Sequence, residues 1–442
     1  MRYLNAISFP LFMIVAKTGG YSVSTLDKIR EIADIVEKND ISILVSSVPK
    51  GITDSIYDLL KGGSADPVRA KYSSIVNGTL LSSTIPDELE DRIRKVKDLK
   101  EDREGWAHYI LGEPFFCEKI LAPLLGENMD VSYIDPLGKI FATENRIGQG
   151  ENKLRSYEAL RRMDTKGLVV FPGFVADDGN GVPMTIARGG SDTFGAVIAA
   201  ALDAECYHNY TNQDGIRVVS PDLIEDAGFI DAITYAEYTS LAYRNFKVLD
   251  SSVIPYLEEA MVPTVVKNHE RPEAKGTMML NYRKHDGSPV TAIANNSGYN
   301  IINLYKPEMG IEVGFLHDVL GIVRDYGVSI DHLPAERDEI SLVFEDKQID
   351  DYGINDMMRR FHKELGLGRE QMYLRGGISL IVTVGQNMRD NIGVSKRASS
   401  ALADAGVNII IKDQGASQHT MLYGVADSDV RKGVQALYRE FF

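Results

Sequence analysis

Cysteine is nearly absent. Cys117 and Cys206 are the two thiols in 442 residues. Two cysteines make neither a disulfide framework nor a structural zinc site, and such a chain suits a reducing compartment, the cytoplasm. Positive charge is also short: 48 Lys and Arg stand against 63 Asp and Glu, a net charge of −15. That balance argues against nucleic acid or an anionic membrane as the main partner. No run reaches the roughly 18 apolar residues of a membrane span. Residues 3–16 are mostly apolar, with Arg2 in front, but they pass straight into Lys17 and a Gly-Gly pair. Without a small-residue cleavage site this stretch reads as a first β-strand rather than a targeting segment, and Met13 is a candidate start. The P-loop sequence G-x-x-x-x-G-K-[ST] is missing too, so any phosphate site here must be built another way.

What is present is a globular chain, 44% hydrophobic and long enough for two or three domains. Strand-like runs at 13–16, 41–45, 131–134, 168–171, 205–210 and 263–267 alternate with helical patterns at 26–36, 87–104, 106–125 and 233–246. This alternation marks an α/β domain with an open, mostly parallel sheet, which binds ligands at the C-terminal ends of its strands. Residues 268–277, with Pro272 and Gly276, read as a loop leading out of that domain. Beyond about 278 a βαββα order occurs twice, with strands expected at 301–305, 328–330, 340–344, 378–384, 407–411 and 421–425. Each repeat has the size of a ferredoxin-like module, which suggests a ligand-sensing or dimerising tail.

The stretch TIARGGSDTFGAVIAAAL, residues 185–202, organises the first part. A β-prone run leads to Arg188, Gly189-Gly190, Ser191 and Asp192, and a small apolar helix follows. Ser191 or Asp192 is expected to cap that helix, and its N-terminus, beside a fixed cation, suits an anion. Further strand-end loops are Lys17-Thr18-Gly19-Gly20, the segment from Ser46 and Ser47 to Thr53, and Thr211 to Gly215. Lys247 is one more cation, and Glu113 interrupts an apolar helix. Lysines, one arginine, glycines and hydroxyls with few candidate bases suit phosphoryl transfer, where positioning and charge neutralisation dominate. Singly, each is as well explained by a tight turn, a helix cap, a paired carboxylate or a solvated lysine. Their joint order carries the weight.

That order resembles the aspartate kinases of the amino-acid-kinase superfamily with tandem C-terminal ACT modules. Their K-F-G-G-[TS]-S stands here as Lys17-Thr18-Gly19-Gly20-Tyr21-Ser22, and R-G-G-S-D-[TI] as Arg188-Gly189-Gly190-Ser191-Asp192-Thr193. Y-T-D-V-D-G appears as Tyr210-Thr211-Asn212-Gln213-Asp214-Gly215, A-K-V-L-H-P as Phe246-Lys247-Val248-Leu249-Asp250, and P-E-A-x-G-T as Pro272-Glu273-Ala274-Lys275-Gly276-Thr277. Gln414-Gly415-Ala416-Ser417 matches an ACT signature. His332-Leu333-Pro334 with Asp338-Glu339-Ile340-Ser341 resembles the monofunctional branch common in Gram-positive bacteria.

The resemblance implies a kinase domain at 1–280 and ACT modules at 281–370 and 371–442. It implies transfer of the ATP γ-phosphate to the side-chain carboxylate of L-aspartate, giving 4-phospho-L-aspartate, the first step of lysine, threonine and methionine biosynthesis, with feedback regulation through the ACT modules. Lys17 and Asp192 would be catalytic. Thr53, Glu113, Phe174, Arg188 and Ser191 would hold aspartate. Lys17, Gly19, Gly20, Ser46, Ser47, Thr211, Asn212 and Lys247 would hold ATP, with Mg²⁺ carried mainly by the phosphates and no dedicated metal ligands. Asp318, Ser329, Ile330 and Asp331 would bind an amino-acid effector, lysine, with threonine the alternative. Self-association through the ACT modules, as a homodimer or dimer of dimers, is the expected assembly. Thr18, Tyr21, Asn212, Arg217 and Asp222 depart from the family pattern, mostly on the nucleotide side. They motivate an alternative, a catalytically weak paralogue serving as an amino-acid-binding regulatory subunit.

Overall fold

The computed structural model describes residues 13–442 apart from 144, 145, 148, 149, 188, 245, 247, 285, 286 and the side chain of Arg146. It divides into two units. The first holds residues up to Ile216, Phe229–Ala242 and Lys247–Arg283; the second holds Arg217–Gly228, Tyr243–Phe246 and Lys284–Phe442. Among the described residues no helix is long and apolar enough to cross a membrane.

The first unit is built on strands β1 (Ile14–Thr18), β2 (Ile41–Ser46), β3 (Val131–Tyr133), β4 (Leu168–Pro172), β5 (Cys206–Thr211), β6 (Ala232–Thr234), β7 (Thr264–Asn268) and β8 (Thr277–Leu280). Their order is β6-β8-β7-β5-β1-β2-β4-β3. Every pair is parallel except β7 with β8. Near-continuous apolar strands such as ISILVS fit a sheet covered on both faces. Helix α1 (Leu26–Lys38) buries Ile29, Ile32, Ile35 and Val36, and Thr25 caps it by accepting the Lys28 N–H at 3.3 Å. The loop after β7 does not lead out of the unit. It returns the chain as β8, inserted between β6 and β7.

Three long helical expectations are shortened: the pattern over 87–104 stops at Lys97, and helix resumes at Arg103. The pattern over 106–125 is broken at Gly112, which leaves helical geometry (φ −91°, ψ −138°) and separates α3 (Arg103–Leu111) from a helix restarting at Glu113. Pro114 in that first turn suits a start and not a middle. The pattern over 233–246 keeps Tyr235–Ala242 as helix, while β-branched Ile233 and Thr234 end β6. Helix α4 (Gly190–Ala201) is small, apolar and buried. A Cβ on Gly195 would lie 2.6 Å from the Tyr207 ring, so the helix rests directly on β5. Gly189 (φ 91°) is the N-cap and no side chain caps the helix. Ser191 and Asp192, expected as caps, lie inside the first turn, and other partners hold Asp192.

In the second unit one antiparallel sheet combines strands from both repeats: β9 (Ala292–Tyr305), β10 (Glu339–Glu345), β11 (Met372–Val384), β12 (Ile411–Asp413) and β13 (Thr420–Ala426), in the order β10-β9-β11-β13-β12. Helices α5 (Phe315–Asp325) and α7 (Val394–Asp404) each follow a left-handed glycine, Gly314 and Gly393, which marks them as equivalent. Helices α6 (Asp351–Leu365) and α8 (Val430–Phe441) complete the repeats. The strand expected at 328–330 does not form. The Gln348 side chain takes both backbone groups of Ser329, accepting its N–H at 2.7 Å and donating to its C=O at 3.0 Å, and so replaces a neighbouring strand. The strand expected at 407–411 starts at Ile411 instead.

Candidate active site

Parallel pairing brings the C-terminal ends of β5, β1 and β2 side by side. Lys17 is level with Asn209 on one flank and Val45 on the other. Its Nζ lies 2.6 Å from Asp192 Oδ1 in the first turn of α4, and both side chains are under one-fifth exposed. Asn209 donates to the same carboxylate oxygen at 3.1 Å. Asp192 is therefore fixed from two strands, and Lys17 is aimed by Asp192. Lys17, Gly19, Gly20, Asp192, Thr211 and Asn212 line one cavity of about 640 Å³. The turn after β1 is tight: Ser22 N–H donates to Gly19 O at 3.0 Å. A Cβ on Gly20 would lie 2.3 Å from the Val48 carbonyl oxygen, so only glycine lets this turn lie against the loop after β2.

Other expected residues sit around this centre. Ser46 and Ser47 stitch the loops: Ser46 Oγ donates to Ser47 O at 2.9 Å, and the Ser47 N–H donates to Thr18 O at 3.1 Å. Neither lines the cavity. Thr53 is in the first turn of α2 (Ile52–Leu60), whose N-cap Gly51 (φ 93°) offers no side-chain cap. Such an end leaves backbone N–H groups for an anion. Glu113 is buried, with Oε1 accepting the Val48 N–H at 3.4 Å and Oε2 without a hydrogen-bond partner. Burial pushes its carboxyl up to about 7. Phe174 is buried at φ 71°, a strained conformation for a bulky residue and a common one at ligand sites. Its ring meets His108 at 5.1 Å, and burial pushes that imidazole down to about 4, so it is neutral at pH 7. Ser191 packs on Gly173, where a Cβ would lie 2.7 Å from the Ser191 side chain. Arg188 and Lys247, expected to hold aspartate and nucleotide, lie outside the described residues.

Cavity residues missed from the sequence include Asn209, Lys50, His269 and Glu270. Asn209 was legible, since strand alternation puts it on the face of Tyr207 and Thr211. Lys50 lies in a loop already singled out. For His269, no local pattern points inward. On the nucleotide side, Tyr21 is 48% exposed and its ring turns to His269, 5.5 Å away. Arg217 uses its guanidinium on the carbonyls of Glu225 and Ala227 within the second unit.

The residues expected to bind an effector lie in the second unit. Asp331 pairs with Arg244 at 3.0 Å and accepts from the Tyr299 hydroxyl at 3.4 Å. Ser329 is held by Gln348, half-buried Ile330 lies between Ser329 and Asp331, and Asp318 is exposed on α5.

A family model described as the amino acid kinase family matches residues 12–268, and one described as an ACT domain matches residues 381–441. Aspartokinase 3 of Bacillus subtilis (strain 168) is 30% identical over 453 residues, covering 97% of this chain and 99% of that protein. The lysine-sensitive aspartokinase 3 of Escherichia coli (strain K12) is 24% identical, covering 97% and 99%. The crystal structure of Clostridium acetobutylicum aspartate kinase superposes with a TM-score of 0.84 at 26% identity, over 98% of this chain and 99% of that one. E. coli aspartokinase III in complex with aspartate and ADP shares the fold, with a TM-score of 0.75 at 22% identity over 98% and 100%. The chain belongs to the amino acid kinase family, as one of its aspartokinases.

Proposed function

We propose that this chain transfers the γ-phosphoryl group of ATP to the side-chain carboxylate of L-aspartate, giving 4-phospho-L-aspartate. The observation that carries the reading is the Lys17–Asp192–Asn209 cluster, at the tops of adjacent strands beside the Gly19-Gly20 turn. Aspartate's carboxylate is ionised at pH 7, so the acceptor needs no general base. What the reaction needs is cationic charge between two anions. Lys17 supplies it, and Asp192 holds that ammonium in place. Lys50, on the rim of the same cavity, adds a second cation. The N–H groups of the Gly19-Gly20 turn, with Thr211 and Asn212, suit the phosphates and the rest of the nucleotide.

Glu113 would receive the α-ammonium of aspartate, and Arg188 the α-carboxylate, by the family resemblance. Thr53, Phe174 and Ser191 would close around the substrate. The carboxylates lining the cavity are Asp192, already engaged by Lys17, and Glu270. Mg²⁺ would therefore be carried chiefly by phosphate oxygens and water, and would share in neutralising the triphosphate. The regulatory-subunit alternative is not favoured: the relatives matched along this chain's length are aspartokinases. Lysine is the proposed effector, supported by the lysine-sensitive E. coli relative, with Asp318, Ser329, Ile330 and Asp331 as the site and threonine as the competing candidate. Self-association of the ACT modules and a cytoplasmic location belong to the same reading.

Aspartate-dependent ADP release tests it. Lys17→Ala should lower kcat by roughly 10²–10³-fold, as expected for removing a group that stabilises transition-state charge. Turnover retained in Lys17→Ala would overturn the assignment.

A further inference from the structure

Two cavity side chains, Tyr21 and His269, and Lys28 beside Tyr21 have no place in the reading above. Tyr21 and His269 meet edge to face, with centroids 5.5 Å apart and planes at 77°. Lys28 Nζ lies over the Tyr21 ring, 2.9 Å from its centroid, and 3.8 Å from Glu270 Oε1. His269 is 4% exposed, yet it lines the cavity with Tyr21 and Thr211.

The hydrogen bonds of His269 fix its chemistry. Nδ1 is 2.7 Å from the Thr211 carbonyl oxygen, and the backbone N–H of His269 donates to that carbonyl at 3.0 Å. A carbonyl only accepts, so Nδ1 carries the proton. With the proton on Nδ1, the uncharged form of the ring offers Nε2 as an acceptor. That atom is buried and has no hydrogen-bond partner. Its charged neighbour is Glu270 Oε1 at 3.9 Å, itself an acceptor. A buried acceptor left unsatisfied is costly, so Nε2 calls for a donor from a ligand. Phosphate oxygens are acceptors and do not fit. Hydroxyl and amino groups do.

Position selects between them. His269 follows β7, and in the sheet β5 lies between β7 and β1, which carries Lys17. Two strand spacings are roughly 10 Å. From a phosphoryl group at Lys17, that distance reaches the sugar of a nucleoside triphosphate and stops short of the amino group of the base. Resting on the reading of this cavity as the nucleotide site, we propose that His269 recognises the ribose of ATP. Nε2 accepts a hydrogen bond from a sugar hydroxyl, Thr211 fixes the tautomer, and the Tyr21 ring holds the imidazole in place.

The test uses the full-length protein with ATP, 2′-deoxy-ATP and 3′-deoxy-ATP at saturating aspartate, and calorimetry with ADP and its two deoxy forms. One deoxy series should bind about 5- to 10-fold more weakly than the ribonucleotides, with kcat changed far less, as for loss of one partner of a buried hydrogen bond. His269→Phe keeps a ring edge against Tyr21 and removes the acceptor, and it should treat all three sugars alike. Equal binding of ribo and deoxy forms by the unaltered protein would overturn the proposal. So would a preference that survives in His269→Phe. If no nucleotide is turned over but calorimetry still shows the ribose preference, the kinase reading fails and the assignment of His269 stands.

Discussion

Glu113 is a carboxylate where charge is disfavoured. Its side chain is buried, and its first helical turn and the Val48 N–H only partly offset the loss of water, so its carboxyl rises from 4.5 to about 7. The fold prefers the protonated form. This preference contributes stability below pH 4.5, loses it between 4.5 and about 7, and contributes none above. A shift of this size corresponds to roughly 3 kcal/mol. Without ligands, Glu113→Gln should therefore be more stable than the unaltered protein at pH 8, and the difference should vanish near pH 5. Thermal melts at both pH values read this. For binding, the proposed role of Glu113 gives the opposite sign, because only an ionised carboxylate would attract the α-ammonium of aspartate. kcat/KM for aspartate should fall on the acid side with an inflection near pH 7, approaching tenfold per pH unit. In Glu113→Gln that inflection should disappear and kcat/KM at pH 8 should drop on the order of 10²-fold, the cost of losing a charge-assisted contact. An unchanged acid limb in the variant would remove Glu113 from the aspartate site.

Elements that follow from local periodicity were legible in the sequence. Strands β1, β2, β4, β5 and β7, helix α1 and the glycine turn before α4 lie close to where apolar spacing and turn residues put them, because the pattern that signals each is the surface it buries. Two of the misses share a cause: a distant partner won over a local rule. Asp192 is a good capping residue, yet Lys17 and Asn209 claim its carboxylate. Residues 328–330 have strand-like composition, yet Gln348 satisfies Ser329 from nineteen positions away. Lys17, Asp192, Gly19, Gly20, Thr211 and Asn212 were placed in one crevice because parallel strands share a top edge. His269 was not, since its orientation depends on the Thr211 carbonyl. The turn after β1 gives a test at this scale. Its contact with the loop after β2 is backbone on backbone, with the Lys50 N–H donating to Gly20 O at 2.9 Å. Gly20→Ala must push these loops apart, moving Lys17 and Lys50 together. kcat/KM for ATP should fall by tenfold or more, and the melting temperature should drop. Gly51→Ala is the control: φ is 93° but nothing lies within 4 Å of the new Cβ, so the cost is the left-handed penalty of about 1 kcal/mol. Equal behaviour of the two variants would show that the close approach at Gly20 has no part in activity.

Over the whole molecule, a catalytic unit and an ACT-bearing unit are joined in one chain, and amino-acid control requires a free-energy difference between states and not contact alone. In the second unit Asp331 already has two partners, Arg244 and Tyr299, while Arg244 NH1 is buried without a hydrogen-bond partner. At the proposed effector site, an ammonium arriving at Asp331 would compete with Arg244 for the same carboxylate. Lysine can offer that ammonium on its side chain; threonine offers only a hydroxyl there. Lysine should therefore inhibit at saturation and raise the melting temperature, and threonine should act more weakly or not at all. Linkage fixes a second measurement. If lysine weakens the binding of aspartate and ADP tenfold, those ligands must weaken lysine tenfold, a coupling of about 1.4 kcal/mol. Calorimetric titration of lysine with and without aspartate plus ADP reads it directly. Asp331→Asn keeps the shape and removes the charge, so the lysine Kd should rise on the order of tenfold, in line with a charge-assisted bond made neutral. Lysine affinity unaffected by both the substrates and Asp331→Asn would mean that control, if any, acts through another ligand and another site.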